Sequence, residues 1–242
     1  MNEHNAVFTT IAKLFELTCG IICLSTGVTF GILSGLGQTT STSTSSAIAA
    51  ASGLRVGTAM FLLYGLFLAG QILLLGRKFQ KIRFLQLIPV FLQMVILNYL
   101  KYDFAPFQNL HPSSYPERFI LLTAGILLIS LGFTIVKYSY FLNYPPEAFM
   151  GILAERSGIK FGYIKIIGDI VYVLASVLIC LLCGIDLTMV REGTLIFALM
   201  NGFLINFYTP YVLKSISAFE KLVFRGFSVR LLLSGSYQYY RC

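Results

Sequence analysis

Ser52-Gly53-Leu54-Arg55-Val56-Gly57 returns as Ser157-Gly158-Ile159-Lys160-Phe161-Gly162, 105 positions further along the chain. Working outward from this pair, the same offset matches Thr18 with Thr123, Gly20 with Gly125, Ser25 with Ser130, Gly27 with Gly132 and Thr29 with Thr134. No gap is needed between Thr18 and Gly57. Apolar sequence matches itself easily, but Gly, Ser and Thr at one fixed offset are the mark of an internal repeat. Further on, an offset of 108 pairs Gln93 with Asn201 and Asn98 with Asn206.

What is repeated is mostly apolar. The 242 residues are 57% hydrophobic and 12% charged, about half the charge of a soluble domain. The mean hydropathy is +0.79. Lipid is therefore the expected solvent for most of the surface. Trp is absent, so interfacial aromatics must come from 14 Tyr and some of the 21 Phe. The net charge of +8 sits in the gaps between apolar runs and not on one soluble face, so nucleic acid is not an expected partner.

A membrane helix needs about 20 mostly apolar residues. Six are expected, at roughly 13–34, 57–76, 83–101, 118–140, 162–184 and 193–213. The third holds Gln86, Pro89, Gln93 and Asn98, which neighbouring helices must satisfy. The expected fold class is an all-α membrane protein of two inverted three-helix repeats, 12–101 and 118–213, followed by a cytoplasmic tail, 214–242. The inversion follows from parity: after three spans, an odd number, the second copy enters the membrane upside down. Many secondary transporters are built this way.

Lys and Arg set the expected orientation. Arg77, Lys78, Lys81 and Arg83, then Arg156, Lys160 and Lys165, then Lys214, Lys221, Arg225, Arg230 and Arg241 all fall on one side. The other side receives Arg55, Lys101, Arg118 and Arg191. Both termini are expected in the cytoplasm, with no cleavable signal peptide. Residues 214–227 separate Lys214, Lys221 and Arg225 from Ile216, Phe219, Leu222, Val223 and Phe227. That pattern suits either a helix lying on the inner leaflet or an ordinary polar-faced tail.

Between the first and second span of each half lies a loop followed by a helix too short to cross. These are Ser34–Gly53, with hydroxyls running from Thr39 through Thr40 and Ser41 to Ser46, and Asn143–Ala154. Short broken or re-entrant helices of this kind point to a solute site, with the hydroxyls lining it; a solvent-exposed loop is the plainer alternative.

The residues singled out for chemistry are few. Asp169 lies two turns into the fifth span, with Lys165 four residues earlier on the same face. The pair reads as a proton, cation or cationic-solute site, or as a structural ion pair. Glu16 is a weaker candidate. Gln93, Asn98, Asn201 and Asn206 can bind a polar solute or bond between helices. Cys180-x-x-Cys183 and the pair Cys19 and Cys23 read as helix packing, not as disulfide or metal chemistry. No nucleophile cluster, phosphate loop or metal-ligand spacing is present in the sequence, so no enzyme, metal or cofactor is expected.

Gly27, the Gly35-Leu36-Gly37 turn, both Ser-Gly stretches, Gly132 and Gly193-Thr-Leu-Ile-Phe-Ala-Leu-Met-Asn-Gly202 resemble the YczE/YitT-like family over residues 12–210. The resemblance implies a multi-pass protein of the bacterial cytoplasmic membrane. Two departures stand out: Gln38-Thr39-Thr40-Ser41 where the family often has Pro, and Asn98 and Asn206 where it tends to have acids. The resemblance therefore carries no ion coupling through those acids to this chain.

The functional expectation is a small-solute transporter with alternating access. A non-transporting scaffold or regulatory factor, and the substrate-binding subunit of a multi-subunit importer, are the alternatives. The expected partners are the lipid bilayer and an unknown small solute, with room for a homo-oligomer or a membrane partner.

Overall fold

The computed structural model describes residues 3–139 and 143–223, with side chains described for 13–139 and 143–218. Among these residues the chain is all-helical, and six stretches are long and apolar enough to cross a membrane. They are Lys13–Ser34, Val56–Lys78, Lys81–Asp103, Tyr115–Ser139, Phe161–Cys183 and Leu187–Ala218. Polarity is arranged inside out relative to a soluble domain. Leu73, Leu182 and Leu199 are each more than three-quarters exposed, while Ser25, Thr29, Ser130 and Thr134 are fully buried. An apolar exterior over a partly polar core is what lipid as solvent demands.

The helices are α1 (Glu3–Ser34), α2 (Thr40–Ser52), α3 (Val56–Leu75), α4 (Leu87–Asn98), the short α5 (Ala105–Gln108), α6 (Tyr115–Ser139), α7 (Pro145–Ser157), α8 (Phe161–Cys183) and α9 (Glu192–Val223). The third expected span is only in part α-helix: a 3₁₀ stretch, Lys81–Gln86, leads into α4 and a π-helical turn, Tyr99–Asp103, ends it. Pro89 falls in the first turn of α4, where a missing N–H costs nothing. The helix α9 is 32 residues long and contains Pro210 in its interior. Beside that proline, the Thr209 hydroxyl bonds the Ile205 carbonyl at 2.7 Å. Residues 214–223 continue α9 without a break, and the rest of the tail lies outside the described residues.

The offset of 105 reappears in the element bounds. Thr40–Ser52 and Pro145–Ser157 are both 13 residues long and start at that spacing. Each is closed by a glycine in the left-handed region, Gly53 at φ 73° and Gly158 at φ 70°. Thr29 and Thr134 likewise repeat one local bond, each donating to the carbonyl four residues earlier, Ser25 at 2.8 Å and Ser130 at 2.7 Å.

The centre of the fold is the crossing of α1 and α6. A Cβ on Gly27 would stand 2.8 Å from the Gly125 carbonyl, and one on Gly132 would stand 2.7 Å from the Gly20 carbonyl. Gly27 thus faces Gly125 while Gly20 faces Gly132, so the two helices run antiparallel. Small residues let their backbones meet. Around this pair, α4 packs on α1 and α9 on α6, while α2 and α7 each lie against both α3 and α8. One relationship is unbalanced: α3 packs along α4, whereas α8 and α9 barely touch.

Candidate functional site

The helix α2 carries an unusual load of buried hydroxyls, and the structure satisfies most of them within the protein. Thr39 caps the helix, its Oγ1 accepting the Thr42 N–H at 3.1 Å. The Ser43 hydroxyl donates to the Met189 carbonyl at 2.7 Å, and Thr44 to the Tyr172 carbonyl at 2.8 Å. Ser45 bonds the Ser41 carbonyl at 2.9 Å, and Ser46 bonds Gln38 Oε1 at 2.8 Å. These groups seat a polar helix inside the protein; they do not form an open hydroxyl-lined dip. The turn before α2 is held as tightly. The Gly193 N–H donates to the Leu36 carbonyl at 2.8 Å, and the Gln38 N–H to Thr194 Oγ1 at 3.2 Å. Gly37 has φ 114°, and a Cβ there would strike Thr194 Oγ1 at 2.7 Å, so only glycine fits.

Thr40 is different. Its Oγ1 donates to Asp169 Oδ1 at 2.7 Å, and Lys165 Nζ donates to the same oxygen at 2.8 Å. The first turn of α2 therefore ends on an acid of α8, which its neighbour one turn earlier already neutralises. Asp169 and Lys165 are about one-quarter and one-third exposed, so this ion pair is not sealed from its surroundings.

The first turn of α7 arrives at the same place. Pro145 and Pro146 occupy its first positions, where no N–H is needed, and Glu147 follows, an acid at the positive end of the helix. Gln71 fixes this turn: its Nε2 donates to the Pro145 carbonyl and to Gln86 Oε1, both at 3.0 Å, while Arg83 donates to its Oε1 at 3.3 Å. Tyr64 of α3 links the two short helices. Its hydroxyl donates to Ser41 Oγ at 3.3 Å, and its ring lies 6.2 Å from that of Tyr144. Tyr172 completes the cluster from α8, its ring 5.6 Å from Phe67.

Three polar atoms of this cluster are buried without a hydrogen-bond partner among the described residues: the Tyr144 and Tyr172 hydroxyls and Glu147 Oε2. Tyr144 is 7% exposed and Tyr172 5%. Burial pushes the Glu147 carboxyl above the ordinary carboxylate range; Lys165 opposes the shift and Asp169 adds to it.

Of the residues singled out from sequence, Asp169, Lys165 and Thr40 meet, Ser41 beside Thr40 accepts from the Tyr64 hydroxyl, and Thr39 caps the helix that presents them. The amides do not come together there. Asn98 accepts the Gly57 N–H at 2.9 Å and donates to Thr58 Oγ1 at 3.1 Å, joining α3 to α4. Asn201 accepts from the Ser130 hydroxyl at 3.0 Å. Gln93 is buried in α4, and Asn206 is exposed on α9. Sequence reasoning passed over Glu147, Tyr64, Tyr144 and Tyr172. One signal was present: Tyr64 stands at the 105-residue offset from Asp169.

No curated protein and no solved structure matches this chain. One family model does, over residues 11–210. With that much of its length matched, the chain belongs to the family of unknown function DUF6198.

Proposed function

We propose that this protein is a small-solute transporter working by alternating access, with its solute site where the first turns of α2 and α7 converge. One observation carries the reading: the Thr40–Asp169 bond ties the short helix of the first half to a spanning helix of the second. Shared element bounds at one offset, and the antiparallel glycine crossing of α1 and α6, support an inverted repeat. In that arrangement α2 and α7 enter from opposite faces, and their N-terminal, positively polarised ends meet inside the bundle. The likeness to the YczE/YitT-like family and the Lys and Arg distribution support a bacterial cytoplasmic membrane with both termini inside.

The test is a thermal-stabilisation screen of the purified protein against a broad panel of small polar solutes, followed by flux of any hit into proteoliposomes. A hit that stabilises the wild type, is carried, and is lost in Asp169→Asn supports the reading. A second reading, a non-transporting scaffold or regulatory factor, draws on the apolar faces of α8 and α9, which barely touch each other. Stabilisation by no solute, with a membrane partner co-purifying, would favour it.

A further inference from the structure

We infer that the two halves stand in different states, and that Gly162 and Asn206 form a clasp that closes as the one between Gly57 and Asn98 opens. This rests on the reading of alternating access and names its two gates. The first half makes a contact that the second lacks. Asn98 Oδ1 accepts the Gly57 N–H at 2.9 Å, and Asn98 Nδ2 donates to Thr58 Oγ1 at 3.1 Å. The helices approach so closely there that a Cβ on Gly57 would meet the Met94 carbonyl at 2.6 Å. Val56, beside it, is 2% exposed.

The second half holds the same pair of residue types, apart. Among the described residues nothing lies within 4 Å of where a Cβ on Gly162 would stand, and Asn206 is exposed on α9. Phe161, at the place of Val56, is 47% exposed. The pairings around this gap do have counterparts: α1 with α4 as α6 with α9, α2 with α3 as α7 with α8, and α2 with α8 as α7 with α3. An amide facing hydrocarbon is costly, and inside a bundle it bonds across helices. Gly162 lies in the first turn of α8, so its N–H is one of those that a helix leaves without a partner of its own. Bringing α8 onto α9 gives Asn206 that N–H, as Asn98 already holds the N–H of Gly57. Span parity sets the clasps on opposite faces, since α3 begins after one span and α8 after four. One clasp shut with the other open is the asymmetry that alternating access requires, and halves built on one pattern can exchange their forms.

The experiment is cross-linking of α8 to α9 in the full-length protein in proteoliposomes, with no solute added. Tyr163→Cys and Gly202→Cys flank the open pair, in a background lacking the native cysteines, and a short bismaleimide joins them when the helices close. The parent pair should cross-link at a measurable rate. The shut clasp is two neutral hydrogen bonds, so Asn98→Leu should raise that rate by about tenfold, and Thr58→Val, which removes one of them, by roughly threefold. Asn206→Leu should lower it by at least about threefold. The Thr58→Val and Asn206→Leu rates decide the matter where Asn98→Leu folds poorly. General loosening would move both asparagine variants the same way. No cross-link in any variant, rates unmoved by the substitutions, or a rise in Asn206→Leu would overturn the inference. Because no solute is used, the cross-link can fail while flux of a solute stands, and a solute screen can fail while the two clasps still oppose each other.

Discussion

Thr40 and Asp169 share one hydrogen bond at 2.7 Å, although 129 positions separate them in sequence. It joins the first turn of a short helix to a carboxylate that Lys165 already pairs with at 2.8 Å. A hydrogen bond to a charged group is stronger than a neutral one. Its partial exposure keeps the contribution toward the lower end of the range for charged pairs.

Thr40→Val and Asp169→Asn are each expected to lower unfolding stability in detergent by about 1 kcal/mol. Combined, they should lose less than the sum, by roughly 0.5–1 kcal/mol, since valine removes the donor of the bond whose charged acceptor asparagine makes neutral. Chemical-denaturant unfolding of the four proteins measures this. Strict additivity would mean that the bond contributes nothing.

The glycine crossing gives a prediction about the repeat. A Cβ on Gly27 meets the Ile129 nitrogen at 2.7 Å, and one on Gly132 meets the Leu24 nitrogen at 2.5 Å. Gly27→Ala and Gly132→Ala must force the same two backbones apart, and each is expected to cost about 1–3 kcal/mol. Gly31→Ala points into open space and should be near neutral. Thermal melts of the three variants would contradict this account if Gly31→Ala were the most damaging.

Gln71 supports α7 from below. Gln71→Leu strands the Pro145 carbonyl, the Gln86 amide oxygen and one Arg83 donor in a buried place. A loss of about 2 kcal/mol is expected, larger than for the exposed Gln108 truncated to Ala. Equal melting temperatures for the two variants would remove Gln71 from the account.

Stability should depend on pH through Glu147. Burial raises its carboxyl in the folded protein, so the folded state binds the proton more tightly than the unfolded chain. Its stabilisation is complete below the ordinary carboxyl value and is lost as pH rises through the raised one. The melting temperature should therefore fall across that window in the wild type, and fall less in Glu147→Gln. Parallel curves for the two proteins would show that Glu147 does not titrate there.

The six spanning stretches were legible because lipid imposes long apolar runs that hydropathy reads directly. The short helices were legible through punctuation: Gly53 and Gly158 end them, and the offset of 105 sets them in register. The chemistry was only half legible. Asp169 stood out as an acid inside an apolar helix, with Lys165 one turn away, and local spacing sufficed for that pair. Glu147 sat in a stretch that read as a loop followed by a short helix, and the approach of the Tyr64 ring to Tyr144 before that helix is a contact that no local pattern gives. The hydroxyls from Thr39 to Ser46 suggested a lined cavity, yet their partners at Met189 and Tyr172 are backbone carbonyls, which leave no trace in sequence. The amides paired at an offset of 108 share register without sharing surroundings, because α3 packs on α4 while α8 stands off from α9.

The reading of two halves inserted in opposite senses is tested most directly by the sidedness of Ser52 and Ser157, the exposed last residues of α2 and α7. Each is replaced by Cys in a background lacking Cys19, Cys23, Cys180, Cys183 and Cys242, and challenged with an impermeant maleimide on intact cells and inverted vesicles. Ser52→Cys is expected to label from outside and Ser157→Cys from the cytoplasmic side. Labelling of both from the same side would contradict it.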